Sequence, residues 1–559
     1  MERNAILATV LVILILLGYQ WYMSHYEVPV QEAPRATTAP PSDQKTTAPQ
    51  AAQPSPIITK PSALPRPYTP TAQMNLPAKE VTVETPLVHA VLSTAGARVT
   101  SWQLKNYKLD SGERVDLVAD QTPKPGPGAL SVWVDSEPLD GAFEVDKQRL
   151  DLTQPGSSGT LTFRQVTAAG LQVEKRLTFH ADRYDVDIEL VVRNVAAEAA
   201  TAQPRITWGP GLRHEQAVHA STIQPPTLWL DGKRVQEDVS KLSGEKTMEG
   251  KLSWVALQDT YFAAALLPKE NGANLRAFVA KAEKDQGVVG LLGPKQNLPA
   301  GGELTLKARL YAGPRDLDVL KAVGQNLDQL IDLGWFDFLA RPALWLLKFL
   351  YHYTGNYGIA IILVTVLQKI AFHPLTAKSM KSMQAMQAIQ PKVQAIQERY
   401  KNNPQKKQEE TMALYRKHGV NPMGGCLPML AQIPIFIALY NALSSSVEMW
   451  QARFLWIRDL TQPDSLFGFT LWGGYTLNLL ALLMGVSMWI QQKMSPTTGD
   501  PRQAQMMLWT MPIIFTFMFW SFPSGLVLYW LVNNILQIGQ QWLINRGPAR
   551  PPASEGQPA

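Results

Sequence analysis

Hydrophobic and polar residues are distributed unevenly along this chain, and their pattern divides it into segments of different kinds. Residues 1–28 contain an uncharged apolar run from Ala5 to Tyr22. At about 1.5 Å per residue this run is long enough to cross the ~30 Å hydrocarbon core of a bilayer. It ends in tyrosine and tryptophan, which favour the membrane–water interface. We therefore predict an uncleaved transmembrane anchor, with a cleaved signal peptide as the alternative.

The next two segments predict a linker and a β-domain. Residues 29–80 are rich in Pro, Ala, Thr and Gln, and proline disfavours regular structure, so they predict an extended linker. From 81 to 330 short runs alternate apolar and polar residues, as strands with one buried face do. The clearest runs are VTVET at 81–85, GTLTFRQV at 159–166, LQVEKRLTF at 171–179, YDVDIELVVRNV at 184–195 and ELTLKARLY at 303–311. This pattern predicts a large antiparallel sandwich.

Beyond the β-domain the chain becomes strongly apolar again. Residues 331–355 mix Trp, Phe and Leu with Asp337, Arg341 and Lys348, which predicts an amphipathic helix in the membrane interface. Candidate spans follow at about 357–374, 426–446, 471–491, 506–521 and 524–544, and with the anchor they make six. The predicted segments are a second transmembrane helix at 356–375, a helical hairpin at 376–422, four further transmembrane helices at 423–545 and a tail at 546–559.

The basic residues predict the orientation of these spans. Segment 376–422 contains nine Lys and Arg residues against three acidic ones, whereas 447–470 contains two against three. Lys and Arg accumulate in cytoplasmic loops of membrane proteins. We therefore expect 376–422 and both termini to be cytoplasmic, and residues ~25–355 to lie on the outer side.

Composition changes this interpretation little and excludes several classes of protein. The 559 residues carry a net charge of +6 and a pI near 9.1, which would suit a nucleic-acid binder, but the basic residues lie between apolar segments. The single cysteine, Cys426, allows no intramolecular disulfide and is expected to serve packing. His214, Glu215 and His219 could suggest acid–base chemistry on a sugar, but spacing of this kind is common by chance. No motif for catalysis, a metal or a cofactor is visible, so we predict no enzyme.

Polar residues inside the candidate spans are the most informative, because hydrocarbon offers them no partner. Gln368 and Lys369 lie near the cytoplasmic end of the second span. One interpretation is that Lys369 extends its side chain to the lipid headgroups. The other is that it projects into a water-filled cavity open to the cytoplasm. The residues around it do not decide between the two.

The remaining polar residues favour a shared hydrated groove. The last span carries a stripe at helical spacing, which comprises Asn533, Asn534, Gln537, Gln540 and Gln541. Gln432 lies in the third span, whereas we interpret Asn441 and Asn478 as contacts between helices, which contribute about 0.6 kcal/mol each. No span contains Asp or Glu, and this disfavours a proton- or sodium-coupled carrier.

The cytoplasmic segment has a helical stripe of its own. It comprises Met380, Met383, Met386, Ile389, Val393, Ile396 and Tyr400, and it ends at Asn402–Asn403–Pro404. A second helix through Met412 and Tyr415 would complete the hairpin. Its apolar residues would either pack the two helices together or offer adaptable Met side chains to varied apolar peptides.

Several long stretches resemble the YidC membrane protein insertase family. They are AFHPLTAKSMKSMQAMQAIQPK at 371–392, NPMGGCLPMLAQIPIFIALY at 421–440, QKMSPTT at 492–498 and FPSGLVLYWLVNN at 522–534. With the linker and the sandwich, the resemblance covers essentially the whole chain. It implies a polytopic α-helical protein of the bacterial inner membrane, with a five-helix core and a periplasmic all-β supersandwich like that of galactose mutarotases.

The resemblance also implies a function, partners and site residues. The family inserts newly made proteins into the membrane, alone or with the Sec translocon, through a hydrophilic groove open to cytoplasm and lipid. By motif position the groove residues are Lys369, where the family usually has Arg, Gln432 and Trp530. The full set expected to line the groove adds Gln368, Asn533 and Gln537. The only basic residues after the last span are Arg546 and Arg550, so ribosome binding through a long basic tail is not expected.

A mechanism follows as a hypothesis. Met380, Met383 and Met386 of the hairpin capture an emerging apolar segment, and the groove accepts its polar leading tail with Lys369 as a transient counter-charge. Two alternatives from other classes remain, a small-molecule transporter or lipid flippase and a passive scaffold whose outer domain binds envelope partners. Substrate flux without nascent protein would favour the transporter, and loss of function on deleting 81–320 would favour the scaffold.

Overall fold

The computed structural model describes residues 78–109, 111–118, 128–212, 224–269, 275–282, 286–419, 427–466, 477–494 and 501–546. Several sequence-based predictions lie outside the described residues; they concern the anchor at 1–28, nearly all of the linker, the group His214, Glu215 and His219, Cys426, and the tail after Arg546. Strands occur from Glu80 to Pro314 and α-helices from Leu317 onwards. The predicted division into a β-domain and a helical region is therefore present.

The β-domain contains many short strands, and every run that the alternation predicts forms one. The strands are β1 Glu80–Glu84, β2 Val88–Ser93, β3 Arg98–Lys108, β4 Arg114–Asp116, β5 Val132–Val134, β6 Glu137–Pro138, β7 Glu144–Val145, β8 Arg149–Asp151, β9 Ser158–Val166, β10 Leu171–His180, β11 Asp185–Asn194, β12 Ala200–Ala202, β13 Pro204–Trp208, β14 Gln224–Leu230, β15 Lys233–Gln236, β16 Lys246–Met248, β17 Leu252–Gln258, β18 Phe262–Pro268, β19 Arg276–Lys281, β20 Gly287–Leu292, β21 Gln296–Leu298 and β22 Glu303–Pro314.

The strands form layered sheets with mostly antiparallel pairing. The largest sheet has the order β15-β14-β17-β18-β22-β11-β10-β9-β7, the second β16-β19-β20-β13-β5-β6, and the third β4-β3-β2-β1-β8, in which β1 and β8 are parallel. Buried Trp102, Trp208 and Trp254 lie in the hydrophobic core that the sheets enclose. Strands such as β10 and β11 bury one face and keep the alternation that their sequences show, whereas the central strands β18 and β20 are buried on both faces.

One inward position in this core carries a charge. In β10 the inward residues alternate in the order Leu171, Val173, Lys175, Leu177 and Phe179. The Lys175 ammonium is fully buried and donates to the carbonyl of Ala97 at 2.6 Å and to that of Leu130 at 2.5 Å. Two carbonyl acceptors replace the water that the ammonium loses on burial.

The helical region follows directly. Its helices are α1 Leu317–Val323, α2 Asp337–Thr354, α3 Tyr357–Ala388, α4 Gln390–Arg399, α5 Pro404–Lys417, α6 Leu427–Ser444, α7 Leu479–Met494, α8 Pro501–Phe519 and α9 Ser524–Arg546. Among the described residues, α3 is the one helix that is long and apolar enough to cross a membrane by the usual criteria; Leu430–Ser444 and Gln505–Phe519 are shorter apolar helices. The count of six spans stays a prediction.

Two sequence-based helix boundaries differ from the structure. The predicted break between the second span and the hairpin at 375 is absent, because α3 runs through Pro374 to Ala388. The proline removes one hydrogen bond from the helix, but the remaining hydrogen bonds of a long helix keep it continuous. Nearby, the Thr376 hydroxyl donates to the Phe372 carbonyl at 3.0 Å. The apolar stripe expected to be one helix is instead broken at Ile389. The cause is Pro391, which lacks an N–H group and whose ring clashes with the carbonyl four residues before it, so a new helix begins with this proline in its first turn.

The predicted amphipathic helix is present as α2, and its two sides differ. Ala340, Leu344 and Leu347 are buried, whereas Phe338, Trp345 and Tyr353 are exposed. These exposed aromatic side chains are of the kind that favours a membrane interface. The location of α2 in an interface stays a prediction.

The β-domain and the helical region contact each other through an aromatic cluster. The Trp450 ring stacks between Tyr107 and Tyr261, with centroid distances of 6.2 Å and 5.4 Å, and meets the edge of Phe262 at 5.0 Å. Beside it the Gln451 amide donates to the Lys108 carbonyl at 2.7 Å. The segment after α6 is thereby fixed to strands β3 and β18.

Candidate functional site

Polar side chains from three helices meet where α3, α6 and α9 come together. The Gln368 amide on α3 donates to the Gln432 carbonyl oxygen on α6 at 3.2 Å, and the Gln432 amide donates to the Tyr529 hydroxyl on α9. Tyr529 is buried, and both glutamines are half-buried. A hydrogen-bonded cluster of this kind fixes the relative positions of the three helices.

A second polar contact lies further along α3 and α9. The Nζ atom of Lys369 donates to Oε1 of Gln537 at 2.6 Å. Lys369 is half-buried, and the described part of α9 offers it no carboxylate. Its charge is therefore held by a neutral partner, so it remains available to a negatively charged group that enters beside it.

Two buried oxygen atoms near these contacts lack a protein donor. Oε1 of Gln368 and Oδ1 of Asn533 have no hydrogen-bond partner among the described residues. Buried polar atoms are nearly always hydrogen-bonded to protein or to water. Both atoms lie on the helices that carry the glutamine and lysine contacts, α3 and α9.

Trp530 lies in an apolar environment, unlike its neighbour Tyr529. Its ring meets Phe436 at 5.0 Å, Phe519 at 5.2 Å and Phe515 at 6.2 Å between centroids. The aromatic cluster joins α6, α8 and α9. Of the residues that the sequence predicted for the groove, Trp530 thus forms an apolar wall, and Gln368, Gln432, Lys369 and Gln537 form polar contacts.

Helices α7 and α9 are joined by their own polar contacts. The Asn534 amide donates to the Ser487 hydroxyl at 3.1 Å, and the Gln541 amide donates to the Met494 carbonyl at 2.6 Å. These two residues of the predicted stripe therefore face α7, whereas Gln537 faces α3. The stripe is divided between two neighbouring helices.

The asparagines that we interpreted as contacts between helices instead donate to carbonyl groups that lie just outside helices. The Asn441 amide donates to the Leu333 carbonyl at 2.8 Å, and the Asn478 amide donates to the Trp520 carbonyl at 2.9 Å. Both satisfy carbonyl groups at the ends of structural elements. Neither takes part in the polar contacts of Lys369 or Gln432.

The methionines of the predicted capture surface differ in exposure. Met380 and Met386 are buried, and Met383 is half-buried. Met386 forms a small cluster with Ile389 and Tyr415, which lies on α5. Packing between the helices of the hairpin therefore accounts for Met386. Substrate capture by these methionines stays a prediction.

Sequence reasoning missed two residues of the site, although a signal for each was present. Tyr529 precedes Asn533 by four residues and Gln537 by eight, so it extends the polar stripe by one turn. His373 follows Lys369 by four residues on α3, and Nε2 of Gln540 donates to its Nδ1 at 2.9 Å. In both cases the helical spacing places the residue on the side that the recognised residues define.

In the part of the chain that the structure describes, no group of three or more His, Cys, Asp or Glu side chains lies close enough together to hold a metal ion.

Two protein families and several relatives match the chain. A family described as "YidC periplasmic domain" matches residues 80–346, and one described as "60Kd inner membrane protein" matches residues 349–550. The membrane protein insertase YidC of Pelobacter propionicus is 39% identical over 559 residues, covering 98% of this chain and 99% of that protein. That of Syntrophus aciditrophicus is 38% identical over 479 residues, covering 84% and 85%.

Among solved structures, the chain resembles one described as an active YidC insertase crystal structure with the first transmembrane domain resolved. The two are 19% identical, and the match covers 84% of this chain and 93% of the other, with a TM-score of 0.37.

Proposed function

This chain belongs to the YidC membrane protein insertase family, and we propose that it inserts newly made proteins into the bacterial inner membrane through a groove bounded by α3, α6 and α9. The observation that carries the proposal is the contact of Lys369 with Gln537, next to the cluster of Gln368, Gln432 and Tyr529. A lysine and four polar side chains on otherwise apolar helices are costly in lipid, and such residues mark a path for polar groups.

The polar contacts suit the leading tail of a membrane protein. Such a tail is short and polar, and it must leave water before the apolar segment behind it can enter lipid. Lys369 provides a positive charge for an acidic tail, and the unpartnered oxygens of Gln368 and Asn533 accept hydrogen bonds from its backbone amides. The groove thus shortens the distance over which the tail lacks polar partners.

The apolar segment behind the tail would move along a separate route, formed by exposed apolar residues of α6 and α9. Leu430, Ile433 and Tyr440 on α6 and Ile535 on α9 are exposed, and they flank the polar contacts. An emerging apolar helix that moves along these faces into lipid gains about 0.8 kcal/mol for each methylene group that leaves water. Trp530, with its neighbours Phe436 and Phe519, separates this apolar route from the polar one.

Hydrophobic transfer and the membrane potential supply the free energy in this proposal. The sequence contains no Gly-rich phosphate-binding loop. The membrane potential contributes about 2.3 kcal/mol per charge per 100 mV. Insertion by this route involves no catalytic step on the substrate.

The topology and the further partners belong to the same proposal. The basic residues of 376–422 favour a cytoplasmic hairpin, six spans, cytoplasmic termini and a periplasmic β-domain. We propose that the chain acts alone or beside the Sec translocon, that it contacts ribosomes weakly, and that Met380, Met383 and Met386 present apolar surface to the emerging segment.

Reconstitution tests the proposal. The purified full-length protein is placed in liposomes, a one-span membrane protein is synthesised beside them, and the protease-protected, membrane-integrated product is measured. We expect more product than with empty liposomes, and less with a Lys369→Ala/Gln432→Ala double variant. An Asn441→Ala variant, altered outside the polar contacts, is the control for general damage. Product equal to that of empty liposomes, in vesicles whose integrity is verified, would contradict the proposed function.

A further inference from the structure

His373 extends the polar path beyond Lys369 towards the cytoplasmic end of the predicted span. It lies four residues after Lys369 on α3, and Gln540 lies three residues after Gln537 on α9. The pairs Lys369–Gln537 and His373–Gln540 therefore follow one another along the same two helices, about 5 to 6 Å apart along the axis. His373 is exposed, whereas Lys369 is half-buried, so an entering chain meets His373 first.

The contact with Gln540 sets the proton on the imidazole ring. Since Nε2 of Gln540 is a donor, Nδ1 of His373 accepts, and the neutral ring then carries its proton on Nε2. No hydrogen bond joins that nitrogen to another described residue. The neutral ring thus offers one N–H donor, and the protonated ring keeps that donor and adds a positive charge.

Few charged groups accompany His373 on the helices around it. On α3 the ionisable side chains nearest in sequence are Lys369 and Lys378, and the side chains of α9 that face this region are Gln537 and Gln540. The described side chains of α6 and α9 include no ionisable group other than Tyr440 and Tyr529. The ionisable residues of α4 are Lys392, Glu398 and Arg399, and those of α2, at the opposite end of α3, include Asp337, Arg341 and Lys348.

We propose that His373 is a second substrate-contacting residue, which binds carboxylates of the leading tail before they reach Lys369 and makes the preference for acidic tails depend on pH. The inference rests on the proposed insertase function. Protonated His373 and Lys369 would hold two successive carboxylates of one tail. Neutral His373 would leave Lys369 as the one cation of the two and would offer only a hydrogen bond.

The test compares two substrates at two pH values. They are one-span proteins that differ only in the tail, which carries Asp and Glu in one and Asn and Gln in the other. The insertase has no polyhistidine tag, and the liposomes carry no membrane potential. The outer buffer is at about pH 5.5 or about pH 7, a range in which the tail carboxylates are ionised, lysine keeps its charge and histidine changes charge. The quantity measured is the ratio of acidic-tailed to neutral-tailed product.

The wild-type ratio should rise about two- to fivefold from pH 7 to pH 5.5, the size expected for one partly exposed ion pair. His373→Gln, which can still bond to Gln540, should lose this rise, and His373→Arg should show the high ratio at both values. His418→Gln removes a half-buried histidine of the hairpin and should keep the rise. A rise that persists in His373→Gln, or an equal ratio for the wild type at both values, would overturn the inference. If neither substrate is inserted by the wild type at either value, the proposed function itself fails.

Discussion

The Nζ atom of Lys348 lies 2.6 Å from Oε1 of Glu448, and this ion pair joins helix α2 to the segment after α6. The same ammonium lies 2.6 Å from Asp318 and 3.2 Å from Asp316, both at the start of α1. One cation thus faces three carboxylates from two separate parts of the chain. Because α1 follows the last strand directly, the cluster connects the β-domain to the helical region.

The charges of this cluster alter one another's pKa values. Burial alone would lower the pKa of Lys348, but Glu448, Asp318 and Asp316 outweigh it and raise that pKa. Burial and the neighbouring Asp316 raise the pKa of Glu448 despite the attraction of Lys348. Burial would raise the pKa of Asp316, but Lys348 and the backbone amides of Val319 and Asp318 outweigh it and lower that pKa. Lys348 is therefore the residue on which the cluster depends.

We expect Lys348→Met to destabilise the protein by about 2 to 4 kcal/mol, because three carboxylates would remain close together with no cation. The free energy of unfolding is measured by denaturant titration of the full chain in detergent. Lys108→Met, which removes an exposed lysine of the same domain junction, is the control and should change it by less than about 0.5 kcal/mol. An equal effect of the two substitutions would contradict the assigned role.

Glu448→Gln should change how stability depends on pH. The raised pKa of Glu448 means that the folded state keeps a proton that the unfolded state releases above about pH 4.3. Stability from this group is therefore complete below that pH and declines as the pH rises towards the folded-state pKa. In Glu448→Gln this decline above about pH 4.3 should be absent, whereas the wild type shows it. Melting temperatures across this range provide the measurement.

Trp450 provides an independent test of the junction. Trp450→Ala removes a ring that contacts Tyr107, Tyr261 and Phe262, and we expect it to cost about 2 to 3 kcal/mol. For a domain of this size, that should lower the melting temperature by about 4 to 10 °C. Trp335→Ala is the matched control, since 97% of the Trp335 side chain is exposed. A similar shift for both variants would show that the aromatic cluster contributes nothing specific.

Lys175 should make the β-domain less stable at low pH. Its burial, with a smaller contribution from Arg98, lowers its pKa to about 7, whereas an unfolded lysine titrates near pH 10.4. The unfolded state therefore binds more protons between these values, and stability rises with pH from about 7 to about 10, by up to about 4 kcal/mol. Lys175→Met should lose that rise, and Lys233→Met on an exposed strand should keep it. Melting temperatures of the full chain across this range are the measurement.

The charge of Lys369 can be tested on the substrates of the reconstituted system. Lys369→Glu should reduce insertion of the acidic-tailed substrate about tenfold relative to the neutral-tailed one, which corresponds to about 1.4 kcal/mol. Lys369→Arg keeps the charge and should retain most of the preference. Equal losses for both substrates in Lys369→Glu would mean that the residue supports the helices rather than the tail.

The β-domain was predictable because its strands bury one face and leave the other polar. Segments such as 171–179 and 303–311 carry that alternation, and both form strands within two or three residues of the predicted bounds. The exception to this alternation is Lys175, a charged residue at an inward position. Alternation therefore located the strand but could not indicate which carbonyl groups would accept from the ammonium.

In the helical region, spacing along one helix was informative, and contacts between helices were not. The polar stripe of the last helix was visible, yet nothing in it indicated that Gln537 contacts α3 while Asn534 and Gln541 contact α7. The junction around Lys348 was also unpredictable, since its partners are far apart in the sequence. The end of the second span predicted at 375 is not a break in the helix, because the preference of the single proline Pro374 is weaker than the packing of a long helix.

The two contacts between α7 and α9 are separated by seven residues on each helix, from Ser487 to Met494 and from Asn534 to Gln541. Seven residues are close to two helical turns, so both contacts lie on one seam between the helices. Sliding either helix by a single turn would break both at once and leave buried amides without acceptors. The α7–α9 pair therefore behaves as a fixed wall, and we expect any widening between the helices to come from movement of α3 and α6.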